Sequence, residues 1–302
     1  MAMHDGFAAE LQATQVLKKL EITALPVDPF AIAAARGIIC EQKPGMAVGI
    51  SGSLMQVGDV FGLLYSEGFS SEGFRRFTVA HELGHYFLEG HVQHLFGAGQ
   101  VVHQSESGFI SDDKYEREAD SFAAGLLMPK MLFKAACAAA GQGLEAVETL
   151  SGICGTSLTA TAIRYASYCD DPVAVVCSHG QRVQFAFMSK PLRDRRGLTW
   201  IRKGAGLPMG TTTATFNKDP QNVSSARRVM SSSTLGAWFD GGEDVELTEE
   251  VIGLGEYGRT LTVLSADSLP DPVEEREESQ EDDDENLLPS QRWRQRGWGD
   301  DR

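Results

Sequence analysis

The sequence has only five cysteines, and no two of them have the spacing of a metal-binding or disulfide pair. No Cys-x-x-Cys occurs, and the total is odd, so neither a disulfide framework nor a zinc knuckle is expected. We predict reduced thiols that fill the core. The five positions are Cys40, Cys137, Cys154, Cys169 and Cys177.

Long apolar runs are also missing. No stretch approaches the roughly 20 apolar residues that a transmembrane helix needs. The opening residues, MAMHDGFAAELQATQ, contain neither a basic n-region nor an apolar h-region, so they do not resemble a secretory signal. We therefore expect a cytoplasmic protein that makes no membrane contact.

Basic charge is scarce, and the shortage is uneven. Lys and Arg number 27 against 42 Asp and Glu, for a formal net charge of -15. Residues 267–302 hold 13 acidic and 5 basic residues, which gives -8 and leaves -7 for the rest. Few apolar residues and many like charges predict a disordered tail over 267–302. Because phosphate contacts need several Lys or Arg, the composition argues against direct DNA binding.

The sequence does contain a metal-binding pattern on a predicted helix. Residues 74–88 are FRRFTVAHELGHYFL, in which His81 and His85 lie one turn apart on the same face. Both imidazoles can therefore reach one Zn²⁺ at about 2.0–2.1 Å. Glu82 lies beside the pair, where it can take a proton from a water that the metal activates. The pattern indicates a zinc hydrolase.

A catalytic zinc site needs a third protein ligand, and two sources compete for that role. His91 follows the first histidine of the motif by ten residues, which is the spacing of the HExxHxxGxxH pattern. That pattern needs a glycine where this chain has Leu88, and Gly90 comes two residues later. We therefore expect His91, His94 and His103 to be loop residues.

The second source is the predicted helix KYEREADSFAAGLL, over 114–127. At 100° per residue, Glu116 and Asp120 share its apolar face, where a carboxylate is costly unless it meets a metal or a donor. We predict Glu116 as the third ligand, and Asp120 as the acceptor that fixes the tautomer of a ligating histidine. The alternative for Glu116 is a core ion pair with one of the two arginines that precede the motif. Glu118 falls on the polar face and is predicted to be a solvated charge.

Two stretches, RRFTVAHELGHYFL over 75–88 and EREADSFAAGLLMP over 116–129, together resemble the ImmA/IrrE family of zinc metallopeptidases. The resemblance implies site-specific cleavage of a helix-turn-helix repressor, which derepresses stress-response or mobile-element genes. It implies the metal ligands His81, His85 and Glu116 and the base Glu82, while Asp120 and Glu89 differ from the residues most common in the family.

The patterns along the first half of the chain predict helices packed with a small sheet. Val60–Tyr65 is interpreted as an edge strand that holds a substrate backbone by β-addition, with an ordinary structural strand as the alternative. The predicted helices cover 5–20, 29–36, 114–127 and 130–140, and the predicted strands cover 37–40, 47–50 and 60–65.

Residues 144–168 contain two apolar-periodic segments around a glycine-containing break, which indicates a helix-turn-helix-like pair. Its acidic residues outnumber its one basic residue, Arg164, so we interpret it as a packing or docking module. Farther on, strands are predicted over 173–177, 182–188, 198–201 and 260–264, and a helix near 221–231.

The sequence thus predicts an α+β fold, and the resemblance to the ImmA/IrrE family implies which kinds of domain it contains. They are a zincin-like metallopeptidase domain (1–141), a helix-turn-helix-like segment (142–170), a mixed α/β, GAF-like sensor domain (171–266) and the acidic tail (267–302).

The predicted function is that of a zinc endopeptidase acting on a helix-turn-helix repressor. The alternative is a transcription regulator with a DNA- or partner-binding role and a non-catalytic metal site. Tyr86, Tyr115 and His103 remain open as a second contact for the oxyanion.

Overall fold

A computed structural model describes residues 3–269 except 45–49, 67–70, 98, 107–112, 196 and 240–244. The described residues form helices and two β-sheets, which confirms a mixed α+β architecture. The helices are α1 (Met3–Lys19), α2 (Pro29–Ala35), α3 (Glu72–Phe87), α4 (His91–Phe96), α5 (Lys114–Leu127), α6 (Lys130–Cys137), α7 (Gly143–Cys154), α8 (Leu158–Tyr168), α9 (Lys190–Arg193), α10 (Thr212–Phe216), α11 (Pro220–Ser224) and α12 (Leu235–Trp238). The strands are β1 (Ile39–Lys43), β2 (Ile50–Val57), β3 (Val60–Ser66), β4 (Val102–Glu106), β5 (Val173–His179), β6 (Arg182–Met188), β7 (Arg228–Thr234), β8 (Glu246–Gly253) and β9 (Thr260–Ser265).

The first sheet has the strand order β1-β3-β2-β4. β2 and β3 form a hairpin in which Val57 pairs with Val60, and its turn contains Gly58 with a φ of 61°. The prediction that Val60–Tyr65 is an edge strand is wrong, because β1 pairs in parallel with the other side of β3. β4 returns to the sheet after α4 and pairs with β2, so β1 and β4 are the outer strands of the described sheet.

Helix α5 packs against α3 on one side and α1 on the other. Glycines allow this close approach at both interfaces. A Cβ on Gly84 would lie 3.0 Å from Ala119 Cα, and one on Gly125 would lie 3.1 Å from Glu10 Cα. Fully buried apolar side chains such as Phe122 fill the space around these contacts. The packing places the first turn of α5 opposite the motif in α3.

The predicted helix pair corresponds to α7 and α8, which are joined by a short turn. Gly155, with a φ of 63°, ends α7, and Ser157 caps α8 with its side chain. Arg164 is buried in this pair and donates to Met128 O at 2.9 Å and to a carboxylate of α1 at 2.8 Å. The arginine of the pair therefore binds α1 and the end of α5, and its side chain does not face solvent.

The second sheet is antiparallel and has the order β6-β5-β9-β8-β7. Residues 198–201, predicted as a strand, form none: Trp200 is 42% exposed, and the nearest pairing to β6 comes later, at Gly206. The predicted helix near 221–231 is also wrong over most of its length. Ala226 has a φ of 52°, which no helix accommodates, so α11 ends before it and β7 follows.

Residues 1–268 form one compact unit. Within it the second sheet bonds to α7, where Leu144 N donates to Glu250 Oε2 at 2.7 Å. The predicted boundaries after residues 141, 170 and 266 remain predictions, and the tail from residue 270 lies outside the described residues. The five cysteines are free; Cys154, Cys169 and Cys177 are buried, as predicted for thiols that fill the core, and Cys40 and Cys137 are partly exposed. In the described ranges no helix is both long and apolar enough to cross a bilayer.

Candidate metal centre

The HELGH motif lies in the second half of α3 and is buried there. His81 is 7% exposed, and Glu82 and His85 are fully buried. Val79, Ala80 and Leu83 are fully buried as well, so the whole circumference of this part of the helix is covered. A polar group in such a position is costly unless it is paired, which makes the partners of the motif informative.

The structure brings His81, His85 and Glu116 together. His81 Nε2 lies 3.2 Å from Glu116 Oε2, His85 Nε2 lies 3.3 Å from Glu116 Oε1, and the two Nε2 atoms are 3.1 Å apart. Donors that share a tetrahedral zinc at about 2.0–2.1 Å are separated by about 3.3 Å. The observed spacing therefore fits a zinc-sized cation.

Glu116 lies in the first turn of α5, and the capping of this helix end holds it in position. Asp113 caps the helix by accepting from Tyr115 N at 2.7 Å and from Glu116 N at 3.4 Å. One turn after Glu116, Asp120 Oδ1 lies 2.9 Å from His81 Nδ1. A carboxylate can only accept there, so Nδ1 carries a proton, and in the neutral ring, the form that binds a metal, Nε2 keeps its lone pair.

The charges of the cluster also favour a cation. Burial opposes a charge on His81, but Asp120 and Glu116 outweigh it and raise the pKa of His81 to about 10. Burial lowers the pKa of His85 to about 3. Burial also disfavours the charged form of Glu116, but hydrogen bonds from the three histidines around it lower its pKa well below the usual range. One positive charge between the rings and the carboxylates thus suits the site, whether a proton or a metal ion carries it.

Glu82 lies against the first sheet. Neither of its carboxylate oxygens has a hydrogen-bond partner of normal geometry among the described residues. A Cβ on Gly52 of β2 would lie 2.7 Å from Glu82 Oε1, so the carboxylate occupies space that only glycine leaves free. Burial raises the pKa of Glu82, which the neighbouring charge of His81 partly opposes. The orphaned carboxylate next to the three donors fits a proton acceptor for a molecule that enters the site.

Three histidines predicted to lie in loops are in regular structure. His91 is the first residue of α4 and is 1% exposed, His94 lies in the same helix, and His103 lies in β4. His91 Nδ1 is 3.1 Å from His85 Nδ1. The loop prediction was wrong because Gly90, with a φ of 82°, reverses the chain at once after α3 and starts a new helix.

The predictions for the two glutamates of α5 had different outcomes. Glu118 is not the solvated charge that was predicted, because His91 of α4 lies against it: its Oε2 lies 3.1 Å from His91 Nε2. The arginine alternative for Glu116 finds no support among the described residues, where its ion-pair partners are histidines. Arg76 instead donates to Val27 O at 2.6 Å.

Of the three candidates for a second oxyanion contact, one reaches the ligand cluster. His103 Nε2 lies 3.1 Å from Glu116 Oε1. Tyr86 instead packs edge-on against Phe61, and Tyr115 stacks on His94. β4 thus delivers a ring nitrogen to the metal centre, although sequence periodicity did not predict this strand.

A buried HExxH helix facing a carboxylate on a second helix is typical of metallopeptidases. Residues 62–164, from β3 into α8, match the peptidase M78 family, described as the IrrE N-terminal-like domain. This match supports the resemblance of the two motif stretches to the ImmA/IrrE family of metallopeptidases.

Two further comparisons complete these findings. The comparison with curated proteins gives no match. A solved structure called "Mycobacterium tuberculosis transcriptional regulator" is similar with a TM-score of 0.53 and 14% sequence identity. The similarity covers 87% of this chain and 77% of that one, and at this identity it concerns the fold alone.

Proposed function

We propose that this chain is a zinc-dependent endopeptidase that cleaves a helix-turn-helix transcriptional repressor at a specific site. The observation that carries the proposal is the set of three donor atoms at zinc-like spacing beside the orphaned Glu82 carboxylate. The family resemblance supports repressors as the substrate class. Derepression of stress-response or mobile-element genes would follow from the cleavage.

His81, His85 and Glu116 would hold the ion. Zinc would polarise the scissile carbonyl and make water a nucleophile at neutral pH. Glu82 takes the proton from the water as its oxygen attacks the carbonyl carbon, and passes that proton to the amide nitrogen as the C–N bond breaks. Its burial keeps the carboxylate from bulk water, and its raised pKa brings it closer to the pH at which it must both accept and release a proton.

His103 is proposed as the second contact of the developing oxyanion. Its ring lies on β4 at the edge of the donor cluster, and its side chain is 17% exposed. Its Nε2 lies 3.1 Å from Glu116 Oε1, which holds the ring beside the donor cluster. An N–H that turns from this carboxylate to the oxyanion would donate to an oxygen as it gains charge, which is where such donors contribute most.

β4 is the proposed docking strand for an extended substrate. It is an outer strand, and no strand pairs with its far side among the described residues. A peptide added there by β-augmentation would run past His103 and the metal centre. This assignment replaces β3 of the sequence-based prediction.

The zincin-like, helix-turn-helix-like and GAF-like domain types belong to the same proposal. In it, residues 1–141 perform the chemistry, α7 and α8 form a docking module, and the second sheet belongs to a sensor domain. The buried Arg164 and the acidic residues Glu145 and Glu148 of α7 support docking over DNA binding.

A regulator without catalysis is the second candidate. It is favoured by the solved structure of similar fold, which is called a transcriptional regulator. In that case the metal site would be structural, and Glu82 would be dispensable.

The Glu82→Gln variant separates the two candidates. In cells that co-express a helix-turn-helix repressor encoded beside this protein, the intact chain should produce one defined cut detectable by mass spectrometry. Glu82→Gln should lower the cleavage rate by about 10²–10⁴-fold, since a general base contributes about that much. Zinc content should stay unchanged, because Glu82 is not among the donors. A variant that cuts at the normal rate, or an intact chain that regulates without any cut, would favour the regulator.

A further inference from the structure

Each of the two proposed histidine ligands has a second polar contact at Nδ1, the ring nitrogen away from the ion. His81 meets Asp120, and His85 meets His91. The first of these contacts is the one predicted from helix geometry. The contact between His85 and His91 is different, because it joins two imidazoles, and a ring can either donate or accept.

His91 links His85 to a carboxylate. Its Nδ1 lies 3.1 Å from His85 Nδ1, and its Nε2 lies 3.1 Å from Glu118 Oε2. His91 is 1% exposed, and the ring of Tyr115 packs edge-on against it at 5.0 Å between centroids. The side chain of Glu118 is 17% exposed and also pairs with Lys114 at 3.5 Å. The three groups thus form a chain that runs from His85 to the protein surface.

The Glu118 carboxylate fixes which nitrogen donates and which accepts in each hydrogen bond of this chain. An ionised Glu118 can only accept, so His91 Nε2 carries the proton. A neutral imidazole has one donor and one acceptor nitrogen, so His91 Nδ1 accepts, and His85 Nδ1 must donate to it. His85 Nε2 then has no proton, and its lone pair points at Glu116 and His81. The chain selects the tautomer of His85 that can bind a metal.

We propose that His91 and Glu118 are positioning residues that hold the His85 ring in its metal-binding tautomer and orientation. This inference rests on the proposed metal site and names residues that lie outside it. It accounts for a buried histidine and a covered glutamate that neither the motif nor the helix periodicity explains. Partners of this kind typically change metal affinity by about 10–100-fold when they are removed.

The test is the zinc dissociation constant of the full chain, measured by competition with a chromophoric chelator. His91→Phe keeps a ring of similar size but cannot accept, so it should weaken zinc binding by about 10–100-fold. His91→Asn can place its amide oxygen near the Nδ1 position and accept from His85, so it should retain most of the affinity. Glu118→Gln should weaken binding, because an amide no longer forces the direction of the chain.

His94→Phe is the matched control. It makes the same substitution on the same helix, at a ring that stacks on Tyr115 and does not contact a ligand. The zinc affinity of His94→Phe should equal that of the intact chain. Thermal unfolding of the metal-free variants shows whether each one folds. If His91→Phe does not fold, Glu118→Gln still tests the proposal.

The outcomes distinguish the hydrogen-bond relay, which is the chain from His85 through His91 to Glu118, from the metal site itself. Normal zinc affinity in both His91→Phe and Glu118→Gln would overturn the relay and leave the site intact. An equal loss in His91→Phe and His91→Asn would also overturn it, since bulk rather than hydrogen bonding would then matter. An intact chain that binds zinc no better than Glu116→Ala would overturn the proposed metal site, and the relay with it.

Discussion

At the scale of single residues, the orientation of Glu82 depends on Gly52. The pairing of β2 with β4 shifts register between Ile50 and Gly52, which is a bulge beside the site. A Cβ on Gly52 would lie 2.7 Å from Glu82 Oε1 and 2.6 Å from Thr78 Cγ2. Both distances are below those that real Cβ atoms show, so the absent side chain is what makes room for the base.

Gly52→Ala should therefore displace the Glu82 carboxylate and reduce cleavage at least tenfold, while zinc affinity stays within about threefold of normal. Activity and zinc content, measured on the same preparation, check both parts. Gly62→Ala on the neighbouring strand is the control, because the nearest atom to its Cβ would be the flexible end of Met55 at 3.3 Å, with Ile39 O at the ordinary contact distance of 3.9 Å. Unchanged cleavage in Gly52→Ala would show that the base does not need this space.

At the scale of elements, the proposed metal centre is a product of the crossing of α3 and α5. Two ligands come from one helix and the third from the other, so the distance between the helices sets the distance between the donors. The crossing is tight at Gly84, where a Cβ would lie 3.0 Å from Ala119 Cα and 3.1 Å from Ala119 O. Backbone atoms cannot move aside as a side chain can, and Ala119 is less than one turn from Glu116.

Gly84→Val should push the helices apart and weaken zinc binding by more than tenfold, together with a lower melting temperature from overpacking of about 1–3 kcal/mol. Chelator competition and thermal unfolding measure the two effects. Gly152→Ala in α7 is the control, since nothing lies within 4 Å of the added Cβ and alanine is the better helix former. Normal zinc affinity in Gly84→Val would contradict the account of the crossing.

At the scale of the whole molecule, the helix pair α7 and α8 is fastened to the metal-binding helices by buried polar contacts. Arg164 joins α8 to α1 and to the end of α5, and its guanidinium also lies 4.5 Å from the ring centre of Tyr168. Arg76 of α3, which is also buried, donates to Cys154 O at the end of α7 at 3.5 Å. The pair is therefore part of the same compact unit as the metal centre.

Arg164→Met should lower the free energy of unfolding by about 2–3 kcal/mol, because it removes charged hydrogen bonds and leaves their acceptors without a donor. Denaturant unfolding of the intact chain measures the loss. Lys134→Ala provides the comparison: its ion pair with Asp170 is exposed on both sides and should contribute less than about 1 kcal/mol. Equal losses in the two variants would mean that Arg164 does not fasten the helices.

Local sequence determined much of this protein. The spacing of His81 and His85, and the shared face of Glu116 and Asp120, follow from helix geometry, and the distances agree with the convergence expected from it. Helices α1, α2, α5 and α6 were predicted for the same reason, since apolar periodicity and caps act within a few residues, whereas α4 was predicted as a loop.

Tertiary structure decided what long-range packing controls. The outer position of β4 depends on which strands find each other across the chain, and periodicity within a strand carries no such information. Glu118 looked solvated because its helix face is polar, and only the return of α4 brings His91 into contact with it. The sequence by itself determined the donors of the proposed metal centre, and the packing of α4 and β4 decided what surrounds them, because a side chain's partners across elements depend on contacts that no local pattern encodes.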